Sequence, residues 1–180
     1  EFGLVVSGCN HGPNFGAYVL GRSGTVGAAM EAAFLGTPAV AMSAYHTREF
    51  FVQPPAEFDF DPPARVAREV AERALAEDAF ADADLLNVNA PIGDADAPVR
   101  LTRPDVDFDL HVEHHDDGTD LPVDVDDGQD VVGLRDALWP HVDGWENPMP
   151  GIDEHRERYD VGTERRAVID GEISVPDSPE

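Results

Sequence analysis

A chain of 180 residues with 42% hydrophobic content suits one domain, or one domain carrying an appendage. Its 37 acidic residues against 12 basic ones give a net charge of −25, and all twelve basic residues are arginine. Such a surface repels phosphate backbones and so argues against nucleic acid as a partner, while the ordinary hydrophobic content excludes a disordered composition. The charge fits a folded protein tuned to a high-salt cytoplasm, where screening removes self-repulsion; an acidic protein from low salt is the alternative. The single cysteine, Cys9, excludes an internal disulfide and reads as a small core side chain. No apolar run is long enough to span a membrane.

In chain order, Leu4–Val6 reads as a short strand buried on both faces. Ser7-Gly8 ends it, and a loop of roughly a dozen residues rich in glycine, asparagine and proline follows. Ser23 is placed to cap a helix that Gly24-Thr25 opens and that runs to about Leu35, with Gly36 at the C′ position and Pro38 stopping it. Ala39–Ser43 is the next strand, parallel to the first in a βαβ unit. Pro62-Pro63 fits the first turn of a helix over about 64–80, with Val66, Val70, Ala74 and Leu75 as its apolar face. Leu85–Asn89 is another buried strand. From Pro98 the pattern alternates through Val99–Thr102, Val106, Phe108, Leu110 and Val112, the period of half-buried antiparallel strands. Residues 113–130 are dense in aspartate. His114-His115-Asp116-Asp117 lacks a complementary ligand set at fixed spacing and reads as a solvated acidic loop. Pro140, Trp145, Pro148 and Pro150 mark an irregular segment.

The chemistry follows from the first unit. A helix starting at Ser23 has unpaired N–H groups and partial positive charge at its first turn, and Ser23 and Thr25 add hydroxyls there. This is a site for phosphate or carboxylate, and Gly24 lets the anion approach the backbone. Asn10 and Asn14 follow the carboxyl end of the strand, where open α/β sheets bind ligands. Their oxygens suit a hard cation and their NH₂ groups a phosphate oxygen. A plainer reading has both asparagines in turns and Ser23 acting only as a cap. Ser43–His46, at the end of the second strand, are placed to line the same site, with His46 either a general acid or structural. Asn89 is expected to face that cleft and Asn87 to bond backbone. Gly16–Ser23 nearly matches a P-loop, with Arg22 in place of lysine, but begins too far from the strand.

Ser7-Gly8-Cys9-Asn10-His11-Gly12-Pro13-Asn14-Phe15-Gly16 and Ser23-Gly24-Thr25-Val26-Gly27-Ala28-Ala29-Met30-Glu31 resemble the signature of the SurE family, metal-dependent 5′-nucleotidases. Leu86-Asn87-Val88-Asn89-Ala90-Pro91, Leu101-Thr102-Arg103 and the tail from Gly162 to Val175 are similar to later family motifs, with Cys9 where isoleucine is usual and Glu164 where aspartate is. The resemblance implies an α/β, Rossmann-like three-layer domain, here the C-terminal portion of the sheet over 1–103. A β-rich extension over 104–180 would form a hairpin and join subunits into a homodimer or tetramer. It implies a cytoplasmic hydrolase acting on nucleoside monophosphates with Mg²⁺ or Mn²⁺. Asn10 would bind the metal, Asn14 and Ser23 would be catalytic, and Ser23, Gly24 and Thr25 would hold the phosphate. The family's opening strand with paired aspartates, and a further serine that completes the metal site, have no counterpart here. The chain is therefore expected to be part of a longer protein, and two other readings stand beside the nucleotidase: a catalytically incomplete phosphate-binding or oligomerising piece, and a P-loop-like NTPase.

Overall fold

The computed structural model describes residues 3–46, 58–106, 110–115, 131–136 and 156–176. Within them one five-stranded sheet is formed by β1 (Val5–His11), β2 (Ala39–Tyr45), β3 (Leu85–Pro91), β4 (Val99–Thr102) and β7 (Ile173–Pro176), in the spatial order β1-β2-β3-β7-β4. The first three strands are parallel, as the βαβ reading requires. β7 pairs antiparallel with β3 and parallel with β4. A separate antiparallel pair joins β5 (Leu110–His115) to β6 (Val131–Asp136).

β2 is buried at every position, and β3 at all but its first, which explains why both are mainly apolar, Ser43, Asn87 and Asn89 being the buried polar exceptions. β1 departs from expectation. It borders only β2, none of its seven residues is fully buried, and Val6 is 51% exposed, so it is not buried on both faces. It also continues past Ser7-Gly8 to His11, through a register shift between Ser7 and Asn10. That irregularity shortens the expected loop and turns Asn10 onto the strand end.

Two short helical passages follow β1: α1 (Ala17–Leu20), a single turn, and then the longer α2 (Gly24–Phe34). α2 packs against β1 and β2 through Val26 and Ala29. The Ser23 hydroxyl accepts from Val26 N–H at 3.1 Å, as a cap should. At the other end Gly36 takes φ 76°; its N–H reaches Ala33 O, and Thr37 N–H reaches Ala32 O. These are the paired bonds of a Schellman stop, and they need the glycine. α3 (Asp61–Ala76) covers the sheet with Pro63, Val66, Ala71 and Ala74. Leu75, expected on that face, is 54% exposed because it lies about a third of a turn from the stripe's centre. Phe80 falls in a short 3₁₀ turn, Ala79–Ala81.

β4 runs parallel to β7, not in an antiparallel meander. The alternation correctly marks strands but is silent on direction. α4 (Glu164–Ile169) is capped by Thr163, whose hydroxyl accepts from Arg166 N–H at 3.4 Å. It leads into β7, inside the central sheet, so the sheet crosses the boundary expected near residue 103. The acidic stretch beyond His115 and the Pro140–Pro150 segment lie outside the described residues.

Candidate phosphate-binding site

Asn10, at the carboxyl end of β1, donates through Nδ2 to Gly12 O at 2.8 Å, so Oδ1 is the amide atom with acceptor capacity to offer a ligand. Gly12 N–H in turn reaches Ala44 O on β2 at 2.8 Å. Asn14 is held more completely. Its N–H donates to Asn89 Oδ1 at 2.7 Å, and its carbonyl accepts from Asn87 and Asn89 side chains at 2.8 and 2.9 Å. Its own Nδ2 donates to Ser43 Oγ at 2.8 Å. The two asparagines inside β3 are thus backbone clamps for a loop more than seventy residues away. For Asn87 this matches its expected role. Asn89 does not face the cleft; it is fully buried, with both ends of its amide spent on Asn14.

After the loop comes the single turn of α1, and then the cap of α2. The helical turn occupies the middle of the P-loop-like stretch, so those residues do not form an open cradle. Arg22 donates to the Tyr18 hydroxyl, and its guanidinium carbon lies 5.1 Å from that ring's centroid. Gly24 and Thr25, the first helical residues, have N–H groups that no earlier turn can satisfy.

Asn10, Asn14, Ser23, Gly24 and Thr25 all border one open cavity of about 610 Å³, which Tyr18 and Arg22 also line. Hydroxyl and N–H donors at a helix N-terminus, an amide and a guanidinium make it receptive to a tetrahedral anion. Arg22 was visible in the sequence only as a failed P-loop lysine; its place beside the cap is what brings it here. His46 goes elsewhere: it sits by Phe58, ring centroids 4.6 Å apart, on a second cavity of about 370 Å³ with Tyr45 and Asp94. Cys9 is half-buried against core residues, and burial pushes its thiol up to about 11, which suits packing and not a nucleophile.

A divalent cation wants about six oxygen ligands, carboxylates among them. The cavity offers it the Asn10 amide oxygen, and among the described residues no cluster of three or more histidine, cysteine, aspartate or glutamate side chains could hold a metal. The residues described do not fit a divalent metal by themselves.

The family model for survival protein SurE matches residues 1–107. The chain belongs to the SurE family. It is 42% identical over 174 residues to the 5′-nucleotidase SurE of Halobacterium salinarum, covering 96% of this chain and 58% of that protein. Against the 5′-nucleotidase SurE of Methanothermobacter thermautotrophicus it is 37% identical over 170 residues, covering 92% and 64%. The crystal structure of the SurE protein from Aquifex aeolicus superposes with a TM-score of 0.63 at 26% identity, over 97% of this chain and 58% of that one. The α/β fold expected for a SurE domain is therefore the fold found, and the chain spans well under two thirds of the length of its haloarchaeal relatives.

Proposed function

We propose that this chain supplies the phosphate-gripping part of a SurE nucleotidase, which releases phosphate from nucleoside 5′-monophosphates. The observation that carries the reading is the convergence of Asn10, Asn14, Ser23, Gly24 and Thr25 on one cavity at the start of α2. In this reading Gly24 and Thr25 N–H groups and the Ser23 and Thr25 hydroxyls hold the phosphate oxygens. Arg22 offsets their charge. The Asn14 carboxamide stabilises the charge that grows as the phosphoryl group transfers, a role for fixed dipoles that need no rearrangement. The divalent ion implied by the family would take Asn10 as one ligand and its carboxylates from residues beyond those described.

The test is phosphate release from a panel of nucleoside monophosphates with Mg²⁺ or Mn²⁺ in molar salt. It would be run on this chain and on a longer polypeptide extending it to the length of the relatives. Release by the longer form, abolished by Asn10→Ala, is the expected result; undiminished release by that variant would sink the assignment of Asn10 to the metal. A phosphate-binding piece without turnover is the second reading, favoured by the missing carboxylate ligands. Phosphate binding by this chain with no release from either polypeptide would establish it.

The subunit and salt properties belong to the same reading. β4 ends the sheet with Val99 and Leu101 more than half exposed, an edge on which subunits of a dimer or tetramer could pair, and sizing by light scattering would test it. No described helix is long and apolar enough to cross a membrane. With a net charge of −25 in a cytoplasm rich in salt, the midpoint of thermal unfolding should rise by several degrees between dilute and molar KCl. A midpoint indifferent to salt would count against a halophilic design.

A further inference from the structure

Glu164 is 2% exposed at the start of α4, and its buried carboxylate reaches the Asn14 loop directly. Its Oε2 accepts from Gly16 N–H at 3.0 Å, across 148 residues of chain. Its Oε1 accepts from Asn87 Nδ2 at 2.9 Å, and the same nitrogen donates to Asn14 O at 2.8 Å. Next door, Ala17 N–H is held by Asp105 O at 2.8 Å. The Arg165 guanidinium carbon lies 5.6 Å from the ring centroids of both Phe15 and Tyr159. Its Nε and Nη2 stand 2.9 Å from where a Cβ on Gly16 would sit, so residue 16, at φ 75°, must be glycine. Loop 14–17 is thereby gripped from both sides by residues of the chain's second half.

We infer that Glu164 is a positioning residue for Asn14, holding the loop so that the Asn14 carboxamide faces a phosphate bound at the start of α2. The inference rests on the proposed phosphate site. The chemistry is specific: both partners of Glu164 are donors, so both of its oxygens must accept, which an ionised carboxylate does and a glutamine cannot. Burial works the other way, raising the carboxyl's proton affinity against the bonds from Asn87 and Gly16. A buried charge is kept where two N–H groups need it.

The experiment is ¹⁵N NMR and calorimetry on the whole chain with inorganic phosphate, comparing wild type, Glu164→Gln and Glu164→Asp. Glu164→Gln should move the Asn14 carboxamide and Gly16 amide signals while sparing α3, and should weaken phosphate binding about tenfold. Glu164→Asp, which keeps two acceptors, should recover part of both. An unmoved Asn14 carboxamide in a folded Glu164→Gln chain would overturn the inference, and so would equal losses in the Gln and Asp chains. Should Glu164→Gln not fold, wild type answers by pH titration, with Asp105 and Arg165 as the charged groups facing Glu164. The Gly16 amide and Asn14 carboxamide should then shift with one midpoint, and movement of Gly16 alone would overturn the proposal. If wild type binds no phosphate, the phosphate site itself fails, and the NMR comparison still decides the positioning.

Discussion

Asn89→Asp should cost about 3–5 kcal/mol of stability at neutral pH, the range for a buried charge left without a partner. The position is fully buried. The new carboxylate could still accept from Asn14 N–H, but the donor that meets Asn14 O at 2.9 Å would be replaced by a second acceptor. Two oxygens would then face each other without water. The loss should shrink on acidification, because the introduced carboxyl, once protonated, regains a donor for that carbonyl. The sign is fixed by linkage. The folded variant binds this proton more tightly than the unfolded chain does, so its stability relative to wild type is best below the unfolded value of about 3.9 and falls as pH rises through the raised folded value. Urea unfolding of both proteins across that range reads it directly, and a difference independent of pH would refute the burial argument. Asn89→Leu separates packing from charge. It orphans the Asn14 N–H, should cost about 1–3 kcal/mol, and should show no such pH dependence.

That substitution probes what the sequence conceals. Whatever is local was legible: Ser23 as a cap, Gly36 as a stop and Pro62-Pro63 as a helix start each depend on residues a few positions apart, and the parallel pairing of β1 with β2 follows from the strand–helix–strand order of one continuous segment. Asn10, Asn14, Ser23, Gly24 and Thr25, five of the residues that border the larger cavity, were legible for the same reason, since they flank one strand–loop–helix passage. What holds them was not. Asn14 is fixed by Asn87 and Asn89, and Gly16 by Glu164, over separations of 73 to 148 residues that no periodicity encodes. Two polar residues inside an apolar strand were a visible anomaly, but nothing in β3 says that they point at a backbone rather than into the cleft. The insertion of β7 between β3 and β4 was equally hidden. An alternating pattern reports that one face is buried, not which neighbour the strand finds or in which direction it runs.

Gly24→Val should remove phosphate binding while leaving the fold nearly untouched, and a matched change one turn further on should do the reverse. A Cβ built on Gly24 meets nothing within 4 Å, and no left-handed backbone is required there. The protein therefore has room for the side chain, and stability should change by no more than about 0.5 kcal/mol. The cavity does not have that room to spare, because Gly24 borders it at the exposed N–H groups of the first turn. Branched carbon at that point holds an anion away from the backbone dipoles, whose attraction fades within one turn. Phosphate affinity should fall at least about tenfold, and turnover in the longer polypeptide by about 10²–10³, the loss seen when a fixed donor to developing charge is removed. Gly27 lies in the same helix, its Cβ position is equally open, and it does not border the cavity. Gly27→Ala should accordingly stabilise the chain by about 0.5–1 kcal/mol through helix propensity and leave phosphate affinity unchanged. Calorimetric titration with inorganic phosphate and urea unfolding, run on both variants, give a crossed pattern if α2 presents its N-terminus to the ligand. Equal phosphate affinity in Gly24→Val and wild type would mean that the anion does not sit on that turn, however well the surrounding donors suit it.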